Sequence, residues 1–141
     1  KYAVRAGGGV NHRIGLFDAV MLKENHIAAA GSIAAAVERA RALHPTLPLI
    51  VEVESLDELE QALATDCTRI LIDEFDDAMM REAVRRAAGR IPLEVSGSVS
   101  LERLPAIAAT GVDYVSVGAL TKHVRAVDLS LRLSVPATAT R

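Results

Sequence analysis

The sequence predicts an α/β protein built on parallel strands, and three observations carry that prediction. Short aliphatic or β-branched runs recur at residues 19–22, 49–53, 69–72, 93–95 and 114–117. They read as nearly continuous apolar stretches, as buried parallel strands do. Helical patterns fill the gaps, at a spacing that suits strand–helix–strand crossovers. Such a succession makes either a doubly wound sheet or part of a (β/α) barrel. No GxGxxG follows a first strand, which weighs against the dinucleotide-binding version of the doubly wound sheet.

The helices have readable limits. Ser32 is a candidate N-cap for a helix with Ile33, Val37, Ala40 and Leu43 on one face, and Pro45 stands just past its end. Ser55-Leu56-Asp57-Glu58 has capping-box spacing. Met80, Ala83, Val84 and Ala87 form an apolar stripe that stops near Gly89. A further helix is predicted from near Ser100 to before Gly111, and a last one starting around Lys122 and His123.

Composition narrows the functional classes. The 141 residues are half apolar, with 16 basic against 18 acidic side chains and a net charge of −2. That balance favours neither nucleic acid nor a membrane surface as partner. No apolar run approaches the ~20 residues of a membrane span. The single cysteine, Cys67, rules out an internal disulfide and fits a reducing compartment. The first residues do not resemble a signal peptide, so a cytoplasmic location is expected. The chain opens mid-pattern without Met and is expected to be a piece of a longer protein. Residues 134–141 are expected to form a loose tail.

Polar or glycine residues follow nearly every apolar run: Lys23-Glu24-Asn25-His26, Asp73-Glu74, Ser96-Gly97-Ser98 and Gly118-Ala119-Leu120-Thr121. Parallel strands bring these ends to one rim, where α/β proteins bind ligands. Glu52 interrupts an apolar strand; it is either a site carboxylate or half of a structural salt bridge. Glu54 starts the following loop. Asp73 is a site carboxylate or the cap of the next helix. Ser96, Gly97 and Gly118 form ordinary tight turns or turns that offer N–H groups to a phosphate. His12 and Arg13, after the glycines at 7–9, are surface residues or, with Lys23, a cationic cluster for a ligand bearing several carboxylates. His44 is read as a helix-end cap. Neither zinc-type spacing nor a nucleophile–histidine motif is present.

Several longer segments carry a resemblance. KYAVRAGGGVNHR at 1–13, GLFDAVMLKENHI at 15–27, VEVESLDEL at 51–59, LEVSG at 93–97 and GVDYVSVGALTKHVRAVDLSLR at 111–132 resemble, in order, the quinolinate phosphoribosyltransferase family. The resemblance implies that residues 1–133 are the later part of an open, TIM-like (β/α) barrel of parallel strands. An N-terminal domain and the first part of the barrel would precede Lys1. It implies transfer of a phosphoribosyl group from phosphoribosyl pyrophosphate to quinolinate with decarboxylation, in a homodimer that requires magnesium (Mg2+). His12, Arg13 and Lys23 would hold the quinolinate carboxylates, and Lys23 would also lie near the donor. Glu52 and Asp73 would flank the ribose and the magnesium pyrophosphate. Ser96, Gly97 and Gly118 would bind the 5′-phosphate.

Two departures stand out. The family commonly reads Leu-Asp-Asn after the third strand, where this chain has Ile72-Asp73-Glu74. It often has Gly or Asn where Ser98 stands. Two alternatives follow: a related phosphoribosyltransferase for another aromatic substrate, such as a homologue associated with molybdenum transport, or an inactive phosphate-binding half-barrel.

Overall fold

The structure, a computed structural model, describes residues 1–134. Most of the predicted tail, residues 135–141, lies outside the described residues. The elements run α1 (Tyr2–Ala6), β1 (Val20–Leu22), α2 (Glu24–Ala30), α3 (Ile33–Leu43), β2 (Leu49–Val53), α4 (Leu56–Leu63), β3 (Arg69–Asp73), α5 (Asp77–Ala87), β4 (Leu93–Ser96), α6 (Leu104–Ala108), β5 (Tyr114–Val115) and α7 (Ala119–Lys122).

Side-chain caps fix the starts of three of the seven helices among the described residues. Ser32 Oγ accepts the Ala35 N–H and Ser55 Oγ accepts the Glu58 N–H, so both predicted N-caps form. Asp76 Oδ1 takes the N–H groups of Ala78 and Met79 and starts α5. The α2 helix has no such signal, because its N-cap is Lys23. There the polarity is reversed: the Lys23 N–H donates to His26 Nδ1 at 3.1 Å. Gly31, at φ +92°, closes α2 through a left-handed residue that glycine adopts without a steric penalty.

Three expectations shift. The α6 helix begins at Leu104 rather than near Ser100, with Pro105 in its first turn, where a missing N–H leaves no bond unmade. Lys122 ends α7 and His123 caps it, so they close the last helix instead of opening it. Pairing of β5 stops at Val115, although the Ser116 N–H still donates to Val95 O at 2.8 Å.

All five strands are parallel, and their spatial order is β1-β2-β3-β4-β5. A doubly wound sheet reverses its strand order and carries helices on both faces. Sequential order with right-handed crossovers instead places the helices on one face, as in a barrel wall. The fold is therefore an α/β partial barrel of the TIM-like kind. The helix-side core contains Val51, Val53, Ile70, Ile72, Leu93 and Val95 from the strands, packed with Ile33, Val37, Leu59, Met80 and Ile107. Cys67 is buried beside this core, and burial pushes its thiol pKa up, which keeps it protonated and unreactive.

Ile72 is fully buried immediately before Asp73. Ile72→Ala should cost about 2–5 kcal/mol of stability, read from urea unfolding, and should loosen the β3 end that carries Asp73.

Candidate active site

Side chains alternate along a strand, so the residues between the core positions point to the helix-free face. The β1–β2 register pairs Leu22 with Val51, and one step further it sets Lys23 beside Glu52. Glu52 pairs with Leu71, Leu71 with Glu94, and Glu94 with Tyr114. One row across the sheet therefore reads Lys23, Glu52, Leu71, Glu94, Tyr114. The next row towards the strand ends contains Asp73 and Ser96, which are also register partners.

Lys23 and Glu52 meet directly. Lys23 Nζ donates to Glu52 Oε2 at 2.6 Å, and Glu52 is buried. A buried carboxylate needs such a partner to stay charged. The salt-bridge reading of Glu52 is thus met by Lys23, whose side chain remains partly open to solvent.

From the N-terminal segment His12 lies over the same face, whereas the Arg13 side chain lines a groove with Leu22, His26 and Arg39 at the β1 edge, so the structure does not gather His12, Arg13 and Lys23 into one cluster. Arg13 N–H donates to His12 Nδ1 at 2.8 Å, so the neutral ring carries its proton on Nε2. That Nε2 is buried 3.5 Å from Glu94 Oε1, in ion-pair range but without a hydrogen-bond partner. Arg13 is tied by its carbonyl, which accepts from Lys1 Nζ at 2.6 Å. Asp18 closes the following turn by accepting the N–H groups of Ile14 at 2.7 Å and Gly15 at 3.1 Å. The Ile14 N–H contributes most to holding the Asp18 carboxyl below its ordinary range.

Asp73 ends β3 without a side-chain hydrogen bond or ion pair among the described residues, and Asp76 is the residue that caps α5. The capping reading of Asp73 therefore falls away. Gly97 has φ +85°, which explains glycine there. Gly118 has an ordinary φ of −65°, but a methyl group on it would come within 3.6 Å of Lys122 Nζ. A lysine thus overhangs the β5 end.

The sequence reading missed Glu94. Its Oε2 accepts from Arg69 at 2.9 Å and its Oε1 accepts from Ser116 Oγ. Arg69 in turn lies 4.2 Å over the Tyr114 ring. The signal was available: Leu93-Glu94-Val95 repeats the Val51-Glu52-Val53 pattern of one carboxylate between buried aliphatics.

Residues 1–132 match the family model for the quinolinate phosphoribosyl transferase C-terminal domain. The chain belongs to this family. It is 50% identical over 136 residues to the nicotinate-nucleotide pyrophosphorylase [carboxylating] of Mycobacterium leprae, covering 94% of this chain and 48% of that protein. It is 43% identical to the probable enzyme of the same name from Bacillus subtilis, covering 96% and 47%. The solved nicotinate-nucleotide pyrophosphorylase of Francisella tularensis superposes with a TM-score of 0.87 at 53% identity, over 92% of this chain and 46% of that one. The chain spans about half the length of the curated relatives it matches. Within the quinolinate phosphoribosyl transferase family, this chain is thus a C-terminal barrel portion, as the resemblance implied.

Glu94→Ala should leave Arg69 without its carboxylate, and removing one member of a buried pair costs about 3–5 kcal/mol. Because Arg69 is partly exposed, the lower end is expected in urea unfolding. Glu94→Gln should recover part of the loss.

Proposed function

We propose that the protein carrying this chain transfers the phosphoribosyl group of phosphoribosyl pyrophosphate to quinolinate and releases carbon dioxide, giving nicotinate mononucleotide. The observation that carries this reading is the helix-free row, where Lys23 pairs with Glu52 below the Asp73–Ser96 row. The family match over 1–132 supports the same reaction class.

The pyridine nitrogen attacks ribose C1 as the bond to pyrophosphate breaks, and the leaving group takes that electron pair. Positive character builds at C1, and the carboxylates of Glu52 and Asp73 face that charge. No covalent enzyme nucleophile is required. After transfer the ring nitrogen is cationic, so the ring can hold the electron pair released as the neighbouring carboxylate leaves as carbon dioxide. A proton then replaces it on carbon. Arg13 and Lys23 supply the donors for the dicarboxylate, with His12 setting the backbone of Arg13 through its Nδ1, and orienting two anionic substrates is itself a large part of the rate. Ser96, Gly97 and Gly118 take the 5′-phosphate, with the Lys122 ammonium close to Gly118.

Magnesium fits this set through Asp73, whose carboxylate is unpartnered among the described residues, with Glu52 joining once Lys23 is drawn off. Magnesium is held by one or two carboxylates plus substrate phosphates in many sites, and it would neutralise the departing pyrophosphate. Among the described residues no group of three or more potential ligands gathers.

We further infer a homodimer working in the cytoplasm. Support for assembly comes from Leu16 and Phe17, large apolar side chains left exposed near Arg13. Among the described residues no helix is long and apolar enough to cross a membrane. Some plant relatives are named chloroplastic or mitochondrial, so the family's address is not uniform.

Asp73→Ala in the full-length protein should lower kcat by about 100-fold or more, the scale of lost electrostatic stabilisation, with a smaller change in KM for quinolinate. Unchanged kcat removes Asp73 from the mechanism. Arg13→Ala should raise KM for quinolinate more than it weakens nicotinate as an inhibitor; equal effects would argue against a second-carboxylate contact. Release of labelled carbon dioxide that depends on phosphoribosyl pyrophosphate tests the reaction itself. A substrate panel that favours another aromatic acid would assign the related phosphoribosyltransferase reading. The 141-residue chain alone is expected to turn over weakly or not at all.

A further inference from the structure

Glu74 follows Asp73 at the end of β3, with its backbone at φ +54°. Side chains bearing a Cβ seldom occupy that left-handed region without outside support. Two contacts supply it here. The Glu74 N–H donates to Ser96 O at 3.3 Å, and Ser98 Oγ donates to Glu74 Oε1 at 3.3 Å. The carboxylate consequently lies across Gly97: a Cβ at that position would be 2.6 Å from both Glu74 Cδ and Oε1.

The covered turn is the one assigned above to phosphate. Gly97 and Ser98 both have positive φ, +85° and +44°. No backbone carbonyl among the described residues accepts their N–H groups. These groups and the Ser98 hydroxyl are the natural donors to an anion. The hydroxyl is already engaged by Glu74, and the carboxylate places a negative charge over the glycine that an anion would approach.

We propose that Glu74 is a specificity-determining residue of the β4 turn, setting its affinity for phosphate low by repulsion and by holding the Ser98 hydroxyl. The proposal rests on the reading of Ser96 and Gly97 as a phosphate turn. A phosphate attached to a larger ligand gains binding from elsewhere on the row and can displace the carboxylate. Free inorganic phosphate has no such help and is kept out.

The test is calorimetric titration of the full-length protein with inorganic phosphate alone, for wild type, Glu74→Gln and Glu74→Gly. Glutamine keeps the side-chain size and an acceptor for Ser98, whereas glycine suits the left-handed backbone and removes the side chain. Both should bind phosphate about threefold to fivefold more tightly at low ionic strength, the scale of one exposed charge contact. That gain should shrink towards nothing in about 0.5 M salt, where screening acts over a few ångströms. Thermal unfolding confirms that each variant is folded. Ser96→Ala serves as the control and should weaken phosphate binding. If Ser96→Ala weakens binding while both Glu74 variants bind as wild type, the phosphate turn stands and the role of Glu74 is overturned. If none of the three changes affinity, phosphate binds elsewhere and the underlying reading fails with it. A gain in Glu74→Gln that ignores salt also overturns the proposal, because that variant still holds the Ser98 hydroxyl and shape rather than charge would then be responsible.

Discussion

Sequential parallel pairing of β1 through β5 obliges each right-handed crossover to lay its helix on the same face of the sheet. That face takes Val51, Ile70, Ile72 and Val95, all essentially without solvent exposure. The intervening residues then point to the other side, which is how Glu52, Asp73, Glu94 and Ser96 come to share one surface. A slip of one residue between β2 and β3 would turn Glu52 into the apolar core and expose Val51. Burying an unpaired carboxylate there is prohibitive, so the core and the charged row enforce the same register.

The charged row needs its own compensation, and the two buried carboxylates obtain it differently. Glu94 is held by the Arg69 guanidinium, which also lies over Tyr114, and by the Ser116 hydroxyl. Planar, stacked arginine with several fixed contacts makes a rigid partner. Glu52 is held by Lys23 at the end of a flexible aliphatic stem, with the ammonium partly in solvent. The first arrangement suits a floor that stays in place, and the second a contact that can be exchanged.

Much of the fold was legible because it depends on local rules. The five apolar runs, the Ser32 and Ser55 caps and the stripe of α5 follow from hydrophobic pattern and capping chemistry. The α2 helix was not legible, since Lys23 is a poor cap by type and the compensating contact comes from His26 three residues on. The site was legible where one residue broke a pattern, as Glu52 does. Glu94 breaks the pattern in the same way and was overlooked for want of a second signal. Arg69 could not have been chosen from sequence: as the first residue of β3 it looks like an ordinary exposed strand end, and its link to Glu94 and Tyr114 exists only once β4 and β5 lie beside it. Gly118 was read as part of a tight or phosphate-binding turn; its φ is ordinary, and it stands at the start of α7 with the Lys122 side chain alongside.

A face lined with carboxylates looks self-defeating as the proposed site for two anionic substrates until the charges are followed through the proposed reaction. The substrates arrive negative, but the carbon at which bonds change becomes positive. Among the proposed substrate-binding residues, Lys23 follows β1 and pairs with Glu52, and His12 reaches across to within 3.5 Å of Glu94 on β4. Lys23 is thus both a proposed substrate donor and the partner of Glu52. A substrate carboxylate that attracts Lys23 would weaken its hold on Glu52, and the buried carboxylate would then draw its compensation from the positive ribose carbon. Binding of the acceptor would thereby prepare the field that the donor's transition state requires, using one ammonium already within 2.6 Å of the carboxylate it unmasks.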